Sequence, residues 1–143
     1  MWAIRALPLF GDRKPLSCYQ SEFNEANAAI SPDGHWVAYE SDEPGAFEVY
    51  LAPFPGEGSK FQVSQGGGIQ PAWGKDGVSL FYLAAPKVME FSLSFKGSAA
   101  EIGTPHQLFG VPATQQNGAY GHLQDSLSGI CFVSLRISSN IVV

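Results

Sequence analysis

Residues 29–42 read Ala29-Ile30-Ser31-Pro32-Asp33-Gly34-His35-Trp36-Val37-Ala38-Tyr39-Glu40-Ser41-Asp42, and an echo follows in Trp73-Gly74-Lys75-Asp76-Gly77 ahead of Leu80-Phe81-Tyr82. In both, an Asp-Gly pair stands just before a short apolar run. Aspartate accepts bonds from nearby backbone N–H groups and glycine supplies a positive φ, so Asp33-Gly34 and Asp76-Gly77 each predict a tight turn entering a strand. The runs Trp36-Val37-Ala38-Tyr39, Leu80-Phe81-Tyr82-Leu83 and Ile130-Cys131-Phe132-Val133 are continuously apolar, as strands buried on both faces are. Phe47-Glu48-Val49-Tyr50-Leu51 alternates instead. So does Met89-Glu90-Phe91-Ser92-Leu93-Ser94-Phe95, which sets four large apolar side chains against Glu90, Ser92 and Ser94. Period two predicts a half-buried strand.

Working outward, the chain repeats itself. Asp33, Asp76 and Asp125 each precede an apolar run, at spacings of 43 and 49 residues. A second feature gives nearly the same period: Leu7-Pro8-Leu9-Phe10-Gly11 reads like Ala52-Pro53-Phe54-Pro55-Gly56, offset by 45. A period of this length, filled with strands and turns, predicts a four-stranded propeller blade. Within one unit, a turn after Asp-Gly leads to a central strand and a loop at Gly45 leads to the alternating strand. An outer strand follows at Lys60-Phe61-Gln62-Val63-Ser64, and Gly66-Gly67-Gly68 crosses to the next unit at Gln70-Pro71-Ala72-Trp73. Blades pack through their apolar faces, so Trp36, Tyr39, Trp73, Phe81 and Phe132 are the expected inter-blade core, and Asp33, Gly34, Asp76, Gly77 and Asp125 the structural turns.

Composition agrees with an all-β chain. Of 143 residues, 45% are hydrophobic and only 15% charged, with 16 glycines and 10 prolines. Breakers at that frequency leave little room for helix. The best helical window, Ser21 to Ile30, allows one short turn. The net charge is −5, and the 8 basic residues are scattered from Arg5 to Arg136, so the basic footprint of a nucleic-acid or anionic-membrane binder is missing. No 18-residue apolar stretch predicts a membrane helix, and Met1-Trp2-Ala3-Ile4-Arg5 does not read as a signal peptide. Cys18 and Cys131 are read as reduced, partly buried small hydrophobes.

Ala29 to Asp42, followed by Phe47-Glu48-Val49-Tyr50-Leu51, resembles the WD40-like, TolB-type propeller repeat, often called PD40. The pattern is Ser-Pro-Asp-Gly, then an aliphatic-Ala-aromatic strand, Ser-Asp, and an aliphatic-Tyr strand. The second unit departs from it by carrying Gly74-Lys75 in place of Ser-Pro, and the third keeps Asp125 without Pro-Asp-Gly. Pro8-Leu9-Phe10-Gly11-Asp12-Arg13-Lys14-Pro15 is also similar to propeller regions attached to some bacterial serine/threonine kinases, although no kinase motif is present. The resemblance implies an all-β propeller module over residues 1–143: the end of a blade at 1–22, blades at 23–66 and 67–113, and the start of a blade at 114–143. It implies binding or scaffolding of a protein or small ligand, with no catalysis and no cofactor. Detachment from a larger kinase or peptidase is one alternative, and carbohydrate binding through Tyr19, Tyr120 or Phe109 is another.

Two complete blades and two half-blades fall short of the 4–8 of most propellers. Either the sequence is a piece of a longer propeller protein, or two copies form a homodimer whose half-blades complete one another, making six.

Chemistry-bearing patterns are weak. His35, His106 and His122 lack zinc-site spacing. Ser126 and Ser128 near Gly129 do not form a nucleophile elbow. Gly66-Gly67-Gly68 lacks the Lys-Ser/Thr of a phosphate loop, and single aspartates 43 residues apart are turn caps rather than calcium ligands. Glu40, Asp42, Glu43 and Glu48 form an acidic cluster, read as a solvated turn or else a contact for a basic partner. Trp2, Trp36 and Trp73 are read as core rather than sugar platforms.

Overall fold

The computed structural model describes residues 4–8, 11–12, 14–19, 21–55, 58–96, 99–110 and 141–142. These residues form antiparallel sheets, with no helix among the described residues. The first sheet contains β1 (Ile4–Pro8) and β2 (Leu16–Tyr19). The second runs in chain order from β3 (Glu25–Ile30) through β4 (Trp36–Ser41) and β5 (Glu48–Pro53) to β6 (Phe61–Gln62). The third holds β7 (Ile69–Trp73), β8 (Ser79–Ala84), β9 (Lys87–Lys96), β10 (Ala99–Ile102) and β11 (His106–Gly110). A last strand, β12 (Ile141–Val142), returns to the first sheet and pairs with β1, Leu7 opposite Val142 and Pro8 opposite Ile141.

Register decides which side chains meet. Val37 lies opposite Ala52 and Tyr39 opposite Tyr50, so these four share one face of the second sheet. They bury against Ile4 and Ala6 of β1, together with Ile30 and Phe54. The rings of Tyr39 and Tyr50 stack with centroids 5.9 Å apart. The other face carries Ala38, Val49 and Leu51, which pack on Trp73, Leu80, Tyr82, Phe91 and Leu93 of the third sheet. The second sheet is therefore covered on both sides, and Val37 to Ser41 are all buried. That explains why β4 is apolar without a break through Tyr39. Each such Val, Leu or Phe contributes roughly 1.5–3 kcal/mol on burial.

The 43-residue repeat reappears in the backbone. Gly34 N–H bonds Ser31 O and Gly77 N–H bonds Gly74 O; Ser31 N–H bonds Trp36 O and Gly74 N–H bonds Ser79 O. The pairing of β3 with β4 is interrupted by a bulge between Ala26 and Ala29, and that of β7 with β8 by one between Ile69 and Ala72. Each bulge holds a non-glycine residue in the left-handed region, Asn27 (φ 47) and Gln70 (φ 53), again 43 apart.

Several local expectations need revision. Ser21–Ile30 contains no helical turn: Glu25–Ile30 is strand, because its partner β4 supplies a ladder and Asn27 adopts a φ no helix tolerates. The outer strand expected at residues 60–64 is shortened to Phe61–Gln62, since the Val63 and Ser64 amides both turn onto the Val49 carbonyl. The third sheet carries five strands rather than four. Its outer position is split: β10 pairs with the far half of β9 and β11 with the near half, with Gly103-Thr104-Pro105 between them. The C-terminal strand β12 lies beside β1. The expected turn at Asp125 and core residue Phe132, like most of the unit at 114–143, lie outside the described residues.

Candidate functional site

The two Asp-Gly turns are built alike and adjoin, Pro32 facing Gly77 at about 3.9 Å from where a Cβ would stand. Asp33 Oδ1 accepts the His35 N–H at 3.0 Å. Asp76 Oδ1 accepts the Val78 and Ser79 N–H groups at 3.0 and 2.9 Å, and its Oδ2 accepts the Ser79 hydroxyl at 2.7 Å. For Asp33, partial burial raises the carboxyl pKa, but bonds from Ser31 and His35 outweigh it and the net shift is downward. Asp76 is held low first by the Ser79 N–H. Gly34 and Gly77, at φ +77 and +74, supply the left-handed residue each turn requires.

The first turn also gathers Ser31, Asp33 and His35, the residue types of a hydrolase triad. Their arrangement is wrong for that chemistry. The Ser31 hydroxyl is fully buried, donates to Asp33 Oδ1 and accepts the Trp36 N–H at 3.0 Å. His35 Nδ1 faces Asp33 Oδ2 at 3.2 Å, with the imidazole 75% exposed. A nucleophile needs its hydroxyl on the histidine and open to substrate, and here the carboxylate sits between them. Among the described residues no three His, Cys, Asp or Glu side chains are placed to hold a metal ion.

The acidic cluster is where the geometry departs most from the sequence reading. Glu40 and Glu48 are buried, while Asp42 and Glu43 stay half-exposed in the β4–β5 turn, and each of the four has a partner within the fold. Glu40 is buried on β4, toward the third sheet, and its Oε1 accepts the Asn27 side-chain amide at 2.7 Å and the Gln70 backbone N–H. One carboxylate thus ties together the bulges of β3 and β7. Asp42 accepts the backbone and side-chain N–H groups of Asn24 at 2.8 and 2.7 Å, which hold its pKa down. Glu43 pairs with Lys60, whose ammonium also lies over the Tyr50 ring at 5.1 Å. Glu48 is buried, accepts the Ser64 hydroxyl, and accepts the Gly67 N–H at 2.8 Å, which fixes the glycine crossing into the third sheet. A fifth acid, Glu25 at the start of β3, is buried as well; burial pushes its pKa up.

Of the expected core aromatics, Tyr39 is fully buried and Trp73 nearly so, and the Trp73 indole N–H bonds the Ala29 carbonyl at 2.9 Å across the two sheets. Trp36 is half-buried against the same cluster. Neither tryptophan presents an open ring to a sugar. Phe81 is half-buried on the opposite face of β8 from Leu80 and Tyr82. Sequence reasoning missed Glu25, Ser64, Asn27 and Gln70, and it named Glu40 and Glu48 without foreseeing their burial. For Glu40 a signal was available: an acid continuing an apolar strand is a candidate buried carboxylate needing donors. For Asn27 and Gln70 the signal was their 43-residue offset.

No protein-family model and no curated protein matches the sequence. The arrangement described here is well suited to holding strands and linkers rigid, and it offers no exposed nucleophile–base pair among the described residues.

Proposed function

We propose that this chain is a WD40-like, PD40-type propeller module whose role is recognition rather than chemistry. The observation that carries the proposal is the second sheet, covered on both faces and repeated 43 residues later by the same turn, bulge and hydrogen bonds. One unit exposes faces it cannot bury alone, which is the logic of stacked repeats. In this reading the blades fall at 23–66 and 67–113, flanked by half-blades, and two copies associate into a six-bladed ring. Within the chain β12 already pairs with β1, so each copy would bring its own three-stranded first sheet to that ring. The recognition surface is the rim made by the two adjoining turns, where His35 and Val78 are exposed beside Pro32, Asp33 and Lys75. Its mixed apolar and charged character suits a protein partner.

Light scattering tests the assembly: a mass twice 15.3 kDa is expected, and a well-folded monomer at micromolar concentration overturns the ring. A panel of ester and peptide substrates tests the absence of chemistry. No turnover is expected; turnover abolished by Ser31→Ala would defeat the non-catalytic reading.

A further inference from the structure

Glu25 is the one described carboxylate with a buried oxygen that completes no hydrogen bond. Its side chain is 3% exposed as a residue, Oε1 accepts the Ser21 hydroxyl at 2.8 Å, and Oε2 has no partner. It stands at a junction. Ser21 and Asn24 belong to the link from the first sheet to the second, and Glu25 opens β3 opposite Ser41. The Ile4 amide of β1 lies close enough to favour its charged form. Ile4 and Ala6 of that strand are the first sheet's contribution to the shared core.

The surrounding charges act in opposite senses. Lys60, before β6, favours the carboxylate; Glu43, in the β4–β5 turn, opposes it, and these two are paired with each other. Asp42 beside Ser41 spends its oxygens on Asn24. Glu40, on the other side of Ser41, points toward Asn27 and Gln70. Arg5 is exposed, on the face of β1 away from Ile4 and Ala6. Ser21, Lys60 and the Ile4 amide favour the carboxylate and Glu43 opposes it, but burial outweighs them and disfavours charge.

We propose that Glu25 is a proton-operated latch between the first and second sheets: neutral, it lets β1 and the Ser21–Asn24 link stay seated on β3; charged, it loosens that junction. The sign follows from linkage. An acid whose pKa is raised by folding imposes no penalty below its unfolded value. The penalty grows as pH rises through the interval up to the folded value, and is constant above it. The junction is therefore tightest below the unfolded glutamate value, at about 4.3.

Hydrogen exchange by mass spectrometry on the full chain, at about pH 4, below the unfolded glutamate value, and at about pH 8, corrected for intrinsic rates, reads this directly. The wild type is expected to lose protection in β1 at the higher pH while β8 keeps its own, and Glu25→Gln to hold β1 protection at both. Unchanged β1 protection in the wild type, or the same loss in Glu25→Gln, overturns the proposal. Should Glu25→Gln fail to fold, Lys60→Met gives a second reading. Removing the cation must move the loss of protection to higher pH, and a profile that stays put or moves down is equally fatal.

Discussion

Ser64 offers the sharpest test of how the second sheet is held. It is fully buried, accepts the Val49 N–H at 2.8 Å, and donates its hydroxyl to Glu48. Ser64→Ala removes one oxygen and strands two groups. The Val49 N–H loses its partner inside the sheet, at a cost of about 1–3 kcal/mol for an unsatisfied buried donor. Buried Glu48 loses one of its two donors, and a hydrogen bond to a charged group is worth about 1.5–3 kcal/mol. The cavity left by a hydroxyl is small, so the polar terms dominate, and the expected loss is about 3–5 kcal/mol. Against a total stability of roughly 5–15 kcal/mol this is severe. Denaturant unfolding followed by tryptophan fluorescence and by circular dichroism measures it. Glu48→Gln in both backgrounds then closes a double-mutant cycle, in which a coupling of about 1–3 kcal/mol is expected. If Ser64→Ala lies within about 1 kcal/mol of wild type, the hydroxyl is not bridging these groups and the account of the acidic loop as an internal frame is wrong.

Gly68→Ala drives a Cβ into Ser64 Oγ and to 2.6 Å from Ser64 Cβ, so it should cost more than Gly66→Ala, whose site is open and whose penalty comes from φ +83 alone. Equal midpoints for the two would refute the contact. Trp73→Phe leaves the Ala29 carbonyl without its indole donor and should cost about 1–2 kcal/mol, read as a lower denaturant midpoint at unchanged slope. Asp33 and Asp76 have lowered folded pKa values, so they stabilise above the unfolded aspartate value, near 4, and that stability drains away as pH falls through the folded values. Asp33→Asn with Asp76→Asn should flatten the acid limb of a melting-temperature profile; an unchanged limb places acid sensitivity elsewhere.

The contrast between turns and carboxylates shows what kind of information a sequence carries openly. Asp33-Gly34 and Asp76-Gly77 were legible because a turn is closed by atoms two or three residues apart. The alternation in Met89–Leu93 was legible because strand geometry repeats every two residues. Ser21–Ile30 was ambiguous alone, and became strand only because β4 was there to pair with it.

Taken by itself, then, the sequence determined the all-β class, the 43-residue unit and the residues of its tight turns, since all of these depend on short-range chemistry and periodicity. Tertiary structure alone decided that Glu25, Glu40 and Glu48 leave water, that the outer position of the third sheet is divided between β10 and β11, and that β12 lies beside β1. The partners that make a buried carboxylate tolerable lie up to 30 residues away, as Gln70 does from Glu40, and no local pattern announces them.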